Sequence, residues 1–245
     1  LAAMRGRYRP GGAEKYIAYF QTFTNPYAPV EQLRRLYDEA VNFSPDIVGM
    51  SVGTRPDCLS GEVLDLLASY RSRCRVWLEL GVQSLHAPTL ERINRGHSLD
   101  ELLDAVERAS SRGLELVAHI ILGLPGESPE TMRATARRLA SLPFGGLKIH
   151  LLLVLEGTGL AGMYRRGEVV LPSREEYAGW MAGFLELTRP EVSIQRLTAD
   201  GYRDIFIAPD WARGKLAVLN AIDGELKRRD SWQGKYVTMK TASSL

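Results

Sequence analysis

The sequence predicts an α/β protein whose parallel sheet closes as a barrel or part-barrel. Three observations carry that expectation. Strand-like and helix-like segments alternate along the 245 residues. Five successive strand candidates each show one apolar and one polar parity. The composition, 45% hydrophobic and 24% charged, is that of an ordinary globular chain.

The elements follow in order. The first strand is expected over Tyr16–Thr22, with Ile17, Tyr19 and Gln21 on one face, and a helix over about residues 29–43. The second strand, Ile47–Gly53, puts Gly49, Ser51, Gly53 and then Arg55 on one face. A helix over about residues 61–71 leads to the strand Val76–Gln83, where Trp77, Glu79, Gly81 and Gln83 alternate with Val76, Leu78, Leu80 and Val82. The next helix, about residues 99–112, starts at a Ser98-x-x-Glu101 capping box and stops at Gly113. On the strand Leu116–Gly123, Val117, His119, Ile121 and Gly123 alternate with Leu116, Ala118, Ile120 and Leu122. Ser128-Pro129 caps a helix to about residue 141. The strand Leu147–Val154 shows Lys148, His150, Leu152 and Val154 on one parity. A capping box Ser173-x-x-Glu176 opens a helix to about residue 187, before a last strand over Val192–Leu197.

A doubly wound sheet is covered by helices on both faces, so both parities of its strands are apolar. Here the apolar parity packs on helices, and the polar parity is expected to point into an interior shared by Gln21, Ser51, Glu79, Gln83, His119 and His150. Burying such groups without partners costs roughly 2–7 kcal/mol each. A polar ligand in the interior removes that cost, and so does a self-satisfied polar layer.

Several classes are excluded or weakened. Lys+Arg 31 against Asp+Glu 29 leaves a net charge of +2, too small a bias to argue for a nucleic-acid partner. Two cysteines, Cys58 and Cys74, make no disulfide framework. No apolar run reaches the roughly 18 residues that span a bilayer. No signal peptide is visible, so the chain reads as soluble and cytoplasmic, with no membrane partner. It opens on Leu1, and LAAMRGRYRPGGAEK reads as a helix tail and a Gly-rich turn; the chain is expected to begin within a domain. Residues 1–200 are expected to form the barrel and 201–245 a helical extension. That extension carries Leu216, Leu219, Ile222 and Leu226 at helical spacing, then Lys227, Arg228 and Arg229 as a solvated helix end or, with Arg196, as contacts to a nucleic-acid backbone.

YIAYFQTFTNPYAP, VGMSVGTRPDCL, VWLELGVQSLHAPTLERINRGHS and HIILGLPGESPETM together resemble the radical S-adenosylmethionine (SAM) superfamily. Within it they are similar to an uncharacterised bacterial YhcC-type group, related to the elongator catalytic subunit and the oxygen-independent coproporphyrinogen oxidases. The resemblance runs from about Tyr16 to about Tyr236. It implies a partial TIM-like (β/α)6 barrel. It also implies a [4Fe–4S] cluster held by three cysteines on the loop after the family's first strand, with SAM on the fourth iron. Reduction, by a donor such as flavodoxin or ferredoxin, then gives a 5′-deoxyadenosyl radical that abstracts hydrogen from a substrate, by analogy an RNA nucleoside.

Residue by residue, the resemblance gives Gln21 and Thr22 to the methionyl amine, and Glu79 and Gln83 to ribose and methionine. Arg95, twelve residues past Gln83, holds the SAM carboxylate. The turn Gly123–Glu127 and Leu152 flank adenine, and His119, with His150 and Lys148, meets SAM or substrate. Glu79 has an alternative as a salt-bridge partner of Lys148 or Arg95, and Asp57 as a partner of Arg55. The chain departs from the family in its cysteines: Cys58 and Cys74 lie 16 residues apart and neither opens a CxxC. The first strand and cluster loop are therefore expected before Leu1, with a cluster-free member as the other reading. Competing functions are a different TIM-barrel enzyme with Lys148 as nucleophile, and a barrel that binds a nucleotide or partner protein without catalysis. The first also predicts a Gly-rich phosphate turn, and none follows Leu197.

Overall fold

A computed structural model describes residues 15–21, 26–199 and 204–237. Six strands, β1 (Tyr16–Phe20), β2 (Ile47–Thr54), β3 (Arg75–Gln83), β4 (Glu115–Leu122), β5 (Phe144–Leu151) and β7 (Ser193–Arg196), pair in that order. A doubly wound sheet reverses its order at a switch point. This one runs sequentially, as barrel sheets do, and the fold is α/β of the partial-barrel type. β6 (Val154–Leu155) leaves that sheet and pairs antiparallel with β8 (Phe206–Ala208). The sequence pattern ran β5 through Val154, because Leu151–Leu155 is unbroken apolar and carries no strand-end signal.

The helices are α1 (Val30–Asn42), α2 (Gly61–Ser69), α3 (Ala87–Arg92), α4 (Leu99–Ser111), α5 (Pro129–Ala140), α6 (Gly159–Arg165), α7 (Arg174–Leu185) and α8 (Lys215–Arg228). The short α3 and α6, of six and seven residues, are too brief to show a helical period in the sequence. Caps fix several starts. Ser60 accepts the Val63 N–H at 3.2 Å, Ser128 the Thr131 N–H at 3.1 Å, and Ser173 and Glu176 form the expected capping box. Gly113 ends α4 at φ +69°, where a Cβ would lie 2.7 Å from the Arg71 guanidinium.

The chain divides into two compact units, one from the N-terminal side to Gly81 with Glu101–Val117, the other Val82–Asp100 with the residues after Ala118. In the first, β1, β2 and β3 are parallel, with Tyr19 beside Ser51 and Ser51 beside Trp77. Met50, Val52, Leu78 and Leu80 are fully buried on the other parity, as alternation predicts. In the second, β5 and β7 are parallel, and Ile120, Leu122, Ile149 and Leu151 are buried.

In the second unit α8 docks on α7 through its own C-terminal charges. Glu225, 16% exposed, accepts Arg228 at 2.8 Å and Arg229 Nε at 2.6 Å, while Arg229 also donates to the Gly179 carbonyl at 3.2 Å. Lys227 pairs with Asp223 at 2.7 Å. The basic stretch is thus ion-paired within the chain. The Arg228 guanidinium, then Arg229, hold the Glu225 carboxyl down at about 2, against an ordinary 4.5. A depressed carboxylate stabilises above its ordinary range, and the contribution is lost as pH falls from 4.5 toward 2. Glu225→Gln is expected to cost roughly 1 kcal/mol at pH 7, read by urea denaturation, with the gap narrowing at pH 3.5. An equal gap at both pH values sinks the ion-pair explanation.

Candidate cofactor-binding site

In the first unit the polar parity converges on one carboxylate. Glu79, 1% exposed on β3, accepts the Ser51 hydroxyl of β2, and the Tyr19 hydroxyl of β1 at 3.0 Å. Register explains the convergence: Tyr19 and Ser51 are neighbours, and Glu79 stands two residues along from Ser51's partner Trp77. Tyr19 and Ser51 were on the expected face, and alternation is the signal that identifies them as partners. Gln21 is exposed, its Cγ 3.8 Å from where a Gly53 Cβ would be. Thr22 lies outside the described residues. Arg55 and Asp57 pair bidentately at 2.9 and 2.6 Å, the alternative that the sequence offered.

The second unit holds the remaining candidates. His119 on β4 and His150 on β5 stack, ring centroids 5.3 Å apart and 24° between planes, so these two do share a face. Gln83 ends β3 at φ +64° and is half-buried. Leu152 is buried, and its N–H donates to the Leu122 carbonyl at 3.3 Å, which sets it beside the end of β4. Gly123 follows β4 at φ +85°, where a Cβ would lie 3.2 Å from the Trp180 ring of α7. Close approach of an indole is therefore one physical reason for this glycine, alongside the backbone approach to adenine that the resemblance implies.

Arg95 lies between α3 and α4. It lines a cavity of about 290 Å³ with Glu91, Asn94, His97 and Ser98. That volume is at the small end of ligand pockets, and its lining offers a guanidinium and a carboxylate together. The neighbouring Ser84 was not singled out from the sequence. It is 1% exposed and donates to the Glu127 carboxylate at 2.5 Å. Burial pushes the Glu127 carboxyl up, opposed by the Ser84 and Thr89 hydroxyls and by His86.

The cysteines do not fit an iron–sulfur cluster. Cys74 is level with the residue before Gly49, because Arg75 pairs with Gly49, while Cys58 lies past Thr54 at the other end of β2. At 3.3 Å per residue that is about 20 Å. Cys74 is buried, which pushes its thiol up. Among the described residues no group of three or more His, Cys, Asp or Glu is placed to hold a metal.

Comparison with known proteins agrees with this reading of the fold. The sequence model of the Radical SAM superfamily matches residues 3–139, and that of the Radical_SAM C-terminal domain matches residues 144–228. The chain belongs to the radical SAM superfamily, a superfamily of enzymes. It is 42% identical over 222 residues to the uncharacterized protein YtqA of Bacillus subtilis, covering 91% of this chain and 69% of that protein. It is 37% identical over 212 residues to protein YhcC of Escherichia coli, covering 86% and 68%. Among solved structures it is similar to the archaeal Methanocaldococcus infernus Elp3 with an N-terminal deletion, with TM-score 0.74 and 21% identity. That similarity covers 91% of this chain and 56% of that one, and shows the fold alone. The chain thus spans about two thirds of these relatives and just over half of the Elp3 chain. No helix among the described residues is long and apolar enough to cross a membrane.

Proposed function

We propose that this chain binds SAM and works in an enzyme that cleaves it reductively to act on a substrate of unknown identity. In this superfamily SAM and a [4Fe–4S] cluster supply a 5′-deoxyadenosyl radical for hydrogen abstraction. The two cysteines here do not suit the cluster, so the roles assigned to this chain concern SAM alone.

The observation that carries the reading is the small cavity whose lining includes Arg95 and Glu91. A zwitterionic amino-acid end needs a fork donor for its carboxylate and an anion for its ammonium, and both are present. Gln83, Gly123 and Leu152, at the ends of β3, β4 and β5, are assigned to the ribose and adenine. His119 is assigned to SAM or substrate. In the first unit Glu79 offers a carboxylate already fixed by two hydroxyls, suited to an ammonium or a vicinal diol, with Gln21 and Thr22 as further polar contacts. The electron donor is assigned to the flavodoxin or ferredoxin class. An RNA nucleoside is the first substrate class to assay, on kinship with the elongator subunit. Lys227, Arg228 and Arg229 add nothing to that choice, since each is ion-paired within the chain.

Equilibrium dialysis of SAM against the whole protein, followed by anaerobic cluster reconstitution, reduction and assay of 5′-deoxyadenosine, tests the reading. Saturable SAM binding and reductant-dependent deoxyadenosine are expected. Absence of both overturns it.

A further inference from the structure

β3 ends in an unusual way. Gln83 sits at φ +64°, and the Ser84 N–H turns back to the Val82 carbonyl at 2.8 Å. This closes a three-residue γ-turn of the positive-φ kind, which is rare and strained. Glycine adopts that conformation freely, whereas a side chain resists it. The residue here is nonetheless glutamine, half-buried, and among the described residues its carboxamide makes no hydrogen bond. A strained backbone that carries a side chain with no protein partner points outward, to a ligand.

What keeps the turn closed is on the other side of it. Ser84 is 1% exposed; its hydroxyl donates to Glu127 at 2.5 Å and accepts the His86 N–H at 3.0 Å. Thr89 is 2% exposed, and its hydroxyl lies 2.9 Å from the His86 ring Nδ1. The next N–H, of Leu85, donates to the Thr135 hydroxyl at 3.3 Å. Both residues flanking Gln83 are thus fixed, Val82 by the turn and the strand, Ser84 by a carboxylate from the turn after β4. We propose that Glu127 is a positioning residue, which through Ser84 holds the γ-turn that aims the Gln83 carboxamide at SAM. The proposal rests on the SAM reading above, and it adds Ser84 and Glu127 to the residues that set SAM affinity without touching SAM.

The test measures SAM dissociation constants by calorimetry and thermal midpoints on the whole protein. Gln83→Ala is expected to weaken SAM binding about tenfold, the size of one lost hydrogen bond. Ser84→Ala and Glu127→Ala are each expected to weaken it by a similar factor, and Ser84→Thr, which keeps the hydroxyl, much less. The double variant Gln83→Ala/Glu127→Ala should bind no more weakly than Gln83→Ala alone, because Glu127 acts on SAM only through Gln83. Gln83→Gly should bind like Gln83→Ala and yet melt higher than the parent, because the backbone strain is released. If Glu127→Ala does not fold, Ser84→Ala, alone and combined with Gln83→Ala, carries the same comparison. Multiplicative losses in the double variant, or a lower midpoint for Gln83→Gly, overturn the proposal. If Gln83→Ala leaves SAM affinity unchanged while Arg95→Lys weakens it, the proposal fails and the SAM reading stands. If the parent protein does not bind SAM, both fail.

Discussion

Arg95→Lys is expected to weaken SAM binding by roughly 10- to 150-fold. The reason is geometric. A guanidinium grips a carboxylate through two parallel charge-assisted hydrogen bonds, and an ammonium keeps the charge without the fork. A hydrogen bond to a charged group is worth about 1.5–3 kcal/mol, and about 1.4 kcal/mol is a tenfold change in affinity. Arg95 is half-buried at the mouth of its cavity, and its backbone N–H already closes α3 on the Leu90 carbonyl at 3.0 Å. Calorimetric titration with SAM decides the matter. Parent-like affinity in the variant assigns Arg95 a structural role and removes the main support for the methionyl pocket.

Gly49→Val destabilises the protein by about 3 kcal/mol, the upper end of the usual cost of overpacking. At this chain length that lowers the thermal midpoint by roughly 6–12 °C. Any Cβ at position 49 would stand 2.9 Å from the Arg75 carbonyl oxygen and 2.9 Å from Ile17 Cδ1. The first of these is backbone of the neighbouring strand and cannot rotate away. β1, β2 and β3 must therefore separate locally, and the row that sets Tyr19 and Ser51 beside Glu79 shifts with them. Gly145→Val, on β5, is the control, because nothing lies within 4 Å of a Cβ there; its midpoint should stay close to the parent's. Equal midpoints for both variants would show that strand spacing at position 49 is not the constraint.

Much of the fold was legible in the sequence for a simple reason. Period-two alternation survives into the folded sheet wherever one face packs on helices and the other carries polar groups. That is why Leu78 and Leu80 lie opposite Glu79, and Ile120 and Ile149 opposite His119 and His150. Capping chemistry is equally local, and Ser128 and Ser173 start helices as read. Strand ends were less legible. Nothing in Leu151–Leu155 marks the place where β5 stops and β6 begins, since that break is set by pairing with Phe206–Ala208, about fifty residues away. The site was legible residue by residue but not in its couplings. Neither the Ser84–Glu127 bond, which joins residues 43 apart, nor the Trp180 indole over Gly123 has any signature in local spacing. Both depend on which loops the completed fold brings together. Asp57, by contrast, was found beside Arg55 because two residues of separation after a strand leave a bidentate pair within easy reach.

The placement of the two thiols, level with opposite ends of β2, also decides what oxidation can do to this pair. A disulfide needs Cα atoms within about 7 Å, and these stand about 20 Å apart by strand geometry. Oxidation therefore does not join these two thiols to each other. With Cys74 buried and its thiol pushed up, Cys58 in the short turn after β2 is the more reactive of the two. A maleimide dye at low excess is expected to mark Cys58 before Cys74, read by peptide mapping of the labelled protein. Of these two thiols, the one in the turn after β2 is thus the handle for fluorescence at the carboxyl end of a barrel strand.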